Sequence, residues 1–281
     1  MNEPVRFARA RRESDMSGVR LLLLLGAVLV LPSVPLAGLA DNSQGSFKFS
    51  VGAEYTTGEY GGDKSVDEWY LPVTGKYLTG PWVFRLTVPY LEVTAPAGTV
   101  VSGGQGGDFI VSGSGPRRTE SGLGDIIAGV TYQDILDTEQ SIGLPVDLTG
   151  KIKFGTADED KGLGTGENDY TVQADAYKYL DAFTPYATLG YRFRGDPDGA
   201  NLDNGWLYTL GTMYRVSDRV SWSADYYFSE ASSSASDDAG ELSAGLSYDI
   251  SRVQKLIGYV IKGVSDGSPD WGAGVLFTIR P

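Results

Sequence analysis

The sequence predicts an all-β fold: a transmembrane antiparallel up-and-down β-barrel of about 12 strands, following a cleaved signal peptide. Three observations predict it. Apolar and polar residues alternate along segments about ten residues long, short connections alternate with long ones, and the apolar faces carry almost no charge. The segment VSWSADYYF (220–228) shows the first. Val220, Trp222, Ala224, Tyr226 and Phe228 share one face, and Ser221, Ser223, Asp225 and Tyr227 share the other.

The chain opens with a segment foreign to this pattern. LLLLLGAVLVLPSVPLAGLA (21–40) follows Arg6, Arg9, Arg11, Arg12 and Arg20 and ends on Gly38 and Ala40, the basic, apolar and small-residue order of a secretory signal peptide cut near Ala40. Pro32 and Pro35 interrupt the apolar run and argue against a membrane-spanning helix. A start at Met16 already gives a compact signal peptide, so the residues before it read as a gene-start artefact. Residues 41–281 then form one barrel domain.

Twelve candidate strands follow: 46–56, 68–78, 82–93, 124–133, 145–155, 169–180, 185–195, 206–216, 220–228, 241–250, 254–263 and 271–281. The first sets Lys48, Gly52 and Glu54 against Tyr55. In 68–78, Trp69, Leu71, Val73, Gly75 and Tyr77 oppose Tyr70 and Lys76; in 82–93, Trp82, Phe84 and Tyr90 oppose Arg85. The polar faces of 124–133 and 145–155 hold Asp125, Gly129, Asp147, Lys151 and Lys153. Those of 169–180 and 185–195 hold Gln173, Asp175, Tyr177, Gly190, Arg192 and Arg194. In 206–216, Trp206 and Tyr214 oppose Gly211 and Arg215. In 241–250, Leu242, Ala244, Leu246, Tyr248 and Ile250 oppose Glu241, Gly245 and Asp249. Gly258 is read on the polar face of 254–263, and in 271–281 Trp271, Ala273, Val275, Phe277 and Ile279 oppose Gly272, Gly274 and Arg280. Segments of this length suit a tilted strand crossing a bilayer better than a soluble sheet.

The connections supply an independent signal. Breaks such as TGP, DAFT, SDR and SRV alternate with longer acidic ones such as TGEYGGDKSVD and ADEDKGLGTGEN, the asymmetry of outer-membrane barrels with short periplasmic turns and long external loops. Charge then decides which face is wet. Only Glu92 and Lys178 interrupt the apolar faces, both near strand ends, whereas Arg or Lys at a bilayer midplane costs about 2–4 kcal/mol. Aromatics fall at strand ends, with Trp82 and Trp222 near the periplasmic rim and Trp69, Trp206 and Trp271 near the outer one, as two girdles.

The polar faces therefore describe a lumen. Among its residues, Lys151, Lys153, Arg192 and Arg194 cluster as a candidate solute-selecting wall, joined by Arg215, Arg85, Asp175, Asp225, Glu241 and Tyr227. Cross-strand ion pairing that stiffens the interior is the competing reading of the same charges. The longest loop, 94–121, carries Phe109, Ile110 and Val111, either a constriction segment folded into the barrel or an outer hairpin; the hairpin is the simpler reading.

Composition narrows the function classes. With no His and no Cys, the commonest general base, thiol nucleophiles, disulfides and thiolate metal sites are absent, so catalysis is not expected. The net charge of −13 without a basic cluster disfavours nucleic acid. The acidic loops, with Asp158, Glu159, Asp160, Glu167 and Asp169 in one and Asp196, Asp198 and Asp203 in the next, lack EF-hand spacing and read as solvated surface facing lipopolysaccharide. No cofactor or metal is expected.

GLGDIIAGVTYQ (122–133), KIKFGT (151–156) and GLGTGENDYTVQADAYKY (162–179) resemble outer-membrane proteins of the phenol-degradation MetA-pathway family. The resemblance covers most of the chain after the signal peptide and implies a Gram-negative outer-membrane transporter that passes hydrophobic or aromatic small molecules. It carries over no site residues. Barrels of this kind typically end on an aromatic residue read by the barrel-assembly machinery, whereas this chain ends FTIRP, with Phe277 set further in. Two functions follow from the sequence: a channel or transporter passing small solutes through a narrow charged lumen, or a non-conducting structural or surface-recognition barrel.

Overall fold

The computed structural model describes residues 45–102, 108–111, 113 and 115–281; the expected signal peptide, 1–40, lies outside the described residues. Its strands, in chain order, are β1 (Ser46–Gly58), β2 (Val66–Thr79), β3 (Trp82–Pro96), β4 (Val100–Ser102), β5 (Asp108–Val111), β6 (Arg117–Leu123), β7 (Ile126–Tyr132) and β8 (Val146–Phe154). Then come β9 (Asp169–Tyr177), β10 (Phe183–Phe193), β11 (Gly205–Arg215), β12 (Val220–Ser229), β13 (Ala239–Asp249), β14 (Gln254–Gly263) and β15 (Trp271–Ile279). The main sheet runs β2–β1–β15–β14–β13–β12–β11–β10–β9–β8–β7–β3, and β3 pairs back onto β2, so the sheet closes into an antiparallel barrel of 12 staves. Closure leaves no sheet edge around the ring, which a bilayer demands because lipid offers the backbone no partner.

The staves are inside-out relative to a soluble protein. Val73, Leu210 and Val260, on the apolar faces, are 55, 56 and 57 % exposed, whereas Gln173 and Lys255, facing inward, are 1 % exposed. Ser221 and Ser223 of the VSWSADYYF strand are buried while Trp222 is exposed. The burial of polar side chains around the axis and the exposure of aliphatic ones outside it is the solvent preference of a membrane barrel.

The stave beside β3 is broken in two. β3 pairs with β7 from Trp82 to Thr87 and with β6 from Tyr90 to Pro96, so Val88 and Pro89 face Gly124, Asp125 and Ile126, one residue more. Pro89 has no N–H to donate to a ladder, and its carbonyl instead accepts from the Gly124 amide at 3.0 Å. Strand β6 and the ribbon of β4 with β5 extend beyond the expected twelve segments; a bulge and a short ribbon give no period-two signal long enough to read. The turn 134–145 likewise holds a short helix, Thr138–Ile142, where the sequence suggested only a break.

Two apparent exceptions to the apolar face resolve. Strand β9 ends at Tyr177, so Lys178 lies beyond it and its ammonium donates to the Gly143 carbonyl. Glu92 sits where β3 pairs with β6, past the break. One residue read as inward is not: Gly258 pairs between Leu246 and Val275, both exposed on the outer surface. Lys262, on the same face, is a third charge on the outward side, at the end of β14, where it donates to the Asp270 carbonyl at 2.8 Å.

Candidate functional site: the barrel lumen

Glycines on the inner face sit opposite tyrosines and make their placement possible. Gly211 is the register partner of Tyr186 and Gly274 that of Tyr259. A Cβ on either glycine would meet the tyrosine ring at 2.3 or 2.2 Å, so each ring lies flat over its glycine. Tyr259 then donates to a Glu54 carboxylate oxygen at 2.7 Å, and Tyr186 to Asp225 at 3.3 Å. Ser243 donates to the same Asp225 at 2.7 Å. Asp175, deeper in the wall, accepts from Gln173 at 3.1 and 3.0 Å and from Thr188 at 2.6 Å. Glu54, Asp225 and Asp175 thus accept from neutral hydroxyl and amide donors, and Asp175 lies also in the field of Lys151 and Arg85. Glu241 faces Tyr227 across β12 and β13, both nearly buried.

The four cations grouped from the sequence do not act together. Lys153 forms ion pairs of 3.0 Å with both Asp125 and Asp169 and lies 3.4 Å from the Thr165 hydroxyl. Asp125, fully buried, also accepts from the Thr156 and Ala157 amides at 3.0 and 2.9 Å. This knot anchors the 155–168 loop at the break between β6 and β7, and it is where the three glycine-rich segments 122–133, 151–156 and 162–179 converge. Arg194 is equally committed, donating to the Asp203 carbonyl at 2.5 Å and the Glu230 carbonyl at 3.1 Å at the base of the next two loops. Arg215, at the opposite end, donates to the Asp181 carbonyl at 3.1 Å.

Lys151 and Arg85 lie on the wall between the two ends, and Arg192 stands near the long-loop end. The charges acting on Lys151 are those of Arg85, Asp175 and Arg192, so these predicted residues do share one region. Sequence reading placed Lys48, Lys76 and Arg280 in the lumen but did not group them; it missed Glu68, Lys255, Tyr186 and Tyr259. Lys255 pairs with Asp249 at 3.3 Å, directly opposite it in register.

At the end carrying the long loops, the inner face turns apolar. Val66, Tyr70, Leu91, Val93 and Ala95 of β2 and β3 cluster with Val101, Ala157 and Leu163 from two loops. The Val101 amide donates to the Gly162 carbonyl at 2.9 Å, tying those loops together. Phe109, Ile110 and Val111 belong to β5, which pairs only with β4 in a ribbon separate from the barrel sheet. The acidic loop residues serve local structure: Asp158 accepts from the Lys161 amide at 3.3 Å and Asp196 from the Leu202 amide at 2.7 Å.

Outward tryptophans sit at strand ends. Tyr55 lies 5.1 Å from Trp69 and 5.6 Å from Trp271, with Trp206 beside Tyr191 at 5.0 Å, at the long-loop end. Trp82 meets Tyr132 at 4.8 Å, and Trp222 meets Tyr214 at 6.0 Å, at the short-turn end.

A closed 12-stave antiparallel barrel with a polar interior and an apolar exterior defines the class: an outer-membrane β-barrel of porin-like build. The sequence profile described as "Putative MetA-pathway of phenol degradation" matches residues 39–280, and the chain belongs to that family. An outer membrane channel from Pseudomonas putida F1 superposes with a TM-score of 0.62 at 12% identity, covering 88% of this chain and 100% of that one. The NanC porin gives 0.51 at 12% identity, over 83% and 99%. At these identities the likeness is one of fold. No curated protein matches the sequence.

Proposed function

We propose that this protein is a channel of the Gram-negative outer membrane that passes small solutes along its polar lumen. The observation that carries this reading is the inner wall itself: Lys48, Lys76 and Arg85 face one another there in direct register and Lys151 follows on the same line, cations that suit a lining for water better than a packed core. A similar fold in a protein described as an outer membrane channel supports the channel, and membership of a phenol-degradation family supports a solute of aromatic character. The barrel does no chemistry. With neither His nor Cys in the chain, it lacks the commonest general base and nucleophile for a hydrolytic site.

The remaining assignments belong to the same proposal. Residues 1–40 export the chain, and the barrel-assembly machinery inserts it. Trp69, Trp206 and Trp271 mark the outer membrane interface, facing lipopolysaccharide, and Trp82 and Trp222 mark the periplasmic one. Phe109, Ile110 and Val111 are read as an external hairpin rather than a constriction, a reading supported by the pairing of their strand with β4 in a ribbon separate from the barrel sheet.

The apolar cluster at the mouth favours a second reading, in which that end is closed and the barrel is structural. Purified protein in planar bilayers separates the two. Discrete conductance steps, with heat-modifiable migration in detergent and recovery from the outer-membrane fraction, are the expected result; a correctly folded barrel that leaves the bilayer sealed would overturn the channel.

A further inference from the structure

From the strand register we infer a track for small organic anions, chiefly carboxylates, that climbs the inner wall from one mouth to the other. Lys48 is directly opposite Lys76, and Lys76 directly opposite Arg85. The same register line continues through Gly129 to Lys151, then through Thr171 to Arg192 and on to Gly205. In the other direction Phe49 pairs with Ile279, which sets Arg280 beside Lys48. Six cations therefore share one rung across adjacent staves, and only glycine and threonine stand between them.

Because barrel strands tilt, a line perpendicular to them is a spiral. Lys48 is the third residue of β1, at the short-turn end, and Arg192 the penultimate residue of β10, at the long-loop end. Six strand steps at about 4.8 Å, tilted near 40°, raise the rung by about 18 Å of an apolar band about 25 Å tall. The rung thus spans most of the membrane, and a carboxylate can pass from one cation to the next without leaving the wall.

The arrangement is costly as a structural device. Like charges directly opposite across strands destabilise a sheet. The charges acting on Lys76 are Arg85, Lys48 and Arg280, all positive. This barrel builds a cross-strand ion pair where stiffness is the purpose, at Asp249 and Lys255, and covers its inward carboxylates with hydroxyl donors. Asp175 acts on Arg85 and Lys151 and Asp249 on Arg280, but the charges acting on Lys48 and Lys76 are positive, the reverse of both habits, and a mobile anion is the counter-charge these two suit.

This inference rests on the channel reading and deepens it by naming the solute's charge. The test is reversal potential in planar bilayers, under a KCl gradient and with benzenesulfonate against benzyltrimethylammonium, which keeps the ring and reverses the charge. Preference for chloride over potassium, and for benzenesulfonate over benzyltrimethylammonium, should be roughly tenfold or more, the scale of field focusing in a charged cleft. Lys76→Glu with Arg85→Glu should abolish or invert it, and Lys76→Gln alone should reduce it if the double variant fails to fold. Lys262→Ala, which removes a cation from the outer surface, should leave it unchanged. A conducting pore with no anion preference, or one indifferent to Lys76, overturns the track and leaves the channel; a sealed bilayer overturns both.

Discussion

The two sides of the lumen satisfy charge in opposite ways. From β10 through β14, carboxylates meet neutral or opposite partners: Asp225 meets Ser243 and Tyr186, and Asp249 meets Lys255. From β1 through β3, Lys48, Lys76 and Arg85 face one another in direct register. The first side is built as protein interiors are built, with each polar group held in place. The second retains repulsion that stability alone would remove. Residues that share one face can therefore be divided, by their partners, into those that hold the barrel and those that the proposed channel would offer a passing solute.

Substitutions can break or sharpen that division. The largest effect is expected at the knot: Asp125→Ala removes an ion pair and two amide contacts at a fully buried site and should cost about 3–5 kcal/mol, read as lost heat-modifiability or cleavage of the 155–168 loop. Next, Leu210→Arg puts a charge on the exposed apolar face at the middle of β11. It should cost about 2–4 kcal/mol in urea unfolding from lipid vesicles. Tyr259→Phe deletes the donor to Glu54 and should cost about 1.5–3 kcal/mol by the same measurement. The smallest effect has the opposite sign: Lys76→Gln should stabilise the barrel by about 0.2–1 kcal/mol by relieving repulsion, while weakening anion preference. A loss of stability there, of the size seen at Tyr259, would mean that Lys76 is structural and that the two sides do not differ.

The barrel was legible in the sequence because period-two alternation and charge-free faces are written strand by strand and need no knowledge of neighbours. What lay beyond reach was register across long loops. The tight turn of Gly80 and Pro81 pairs Thr79 with Trp82 and so already sets Lys76 opposite Arg85, a pairing readable by counting. No such count crosses the 59–65 connection to place Lys48 against Lys76. Grouping Lys153 with Lys151 by parity was likewise insufficient: both point inward, but Lys153 stands one residue before the end of β8, within reach of Asp125 and Asp169. The break at Pro89 escaped because its partner segment is shorter than the alternation needed to see it.

That the rung faces continuous water is the claim on which the account turns, and the absence of cysteine from the chain makes it directly testable. Single cysteines at Lys76, Lys151, Val73 and Leu210 can be labelled in reconstituted barrels with a water-soluble, membrane-impermeant thiol reagent added from each side in turn. Lys76→Cys and Lys151→Cys should react from both sides, and Val73→Cys and Leu210→Cys from neither. Labelling of the lumen positions from one side only, or of the outward positions instead, would contradict it.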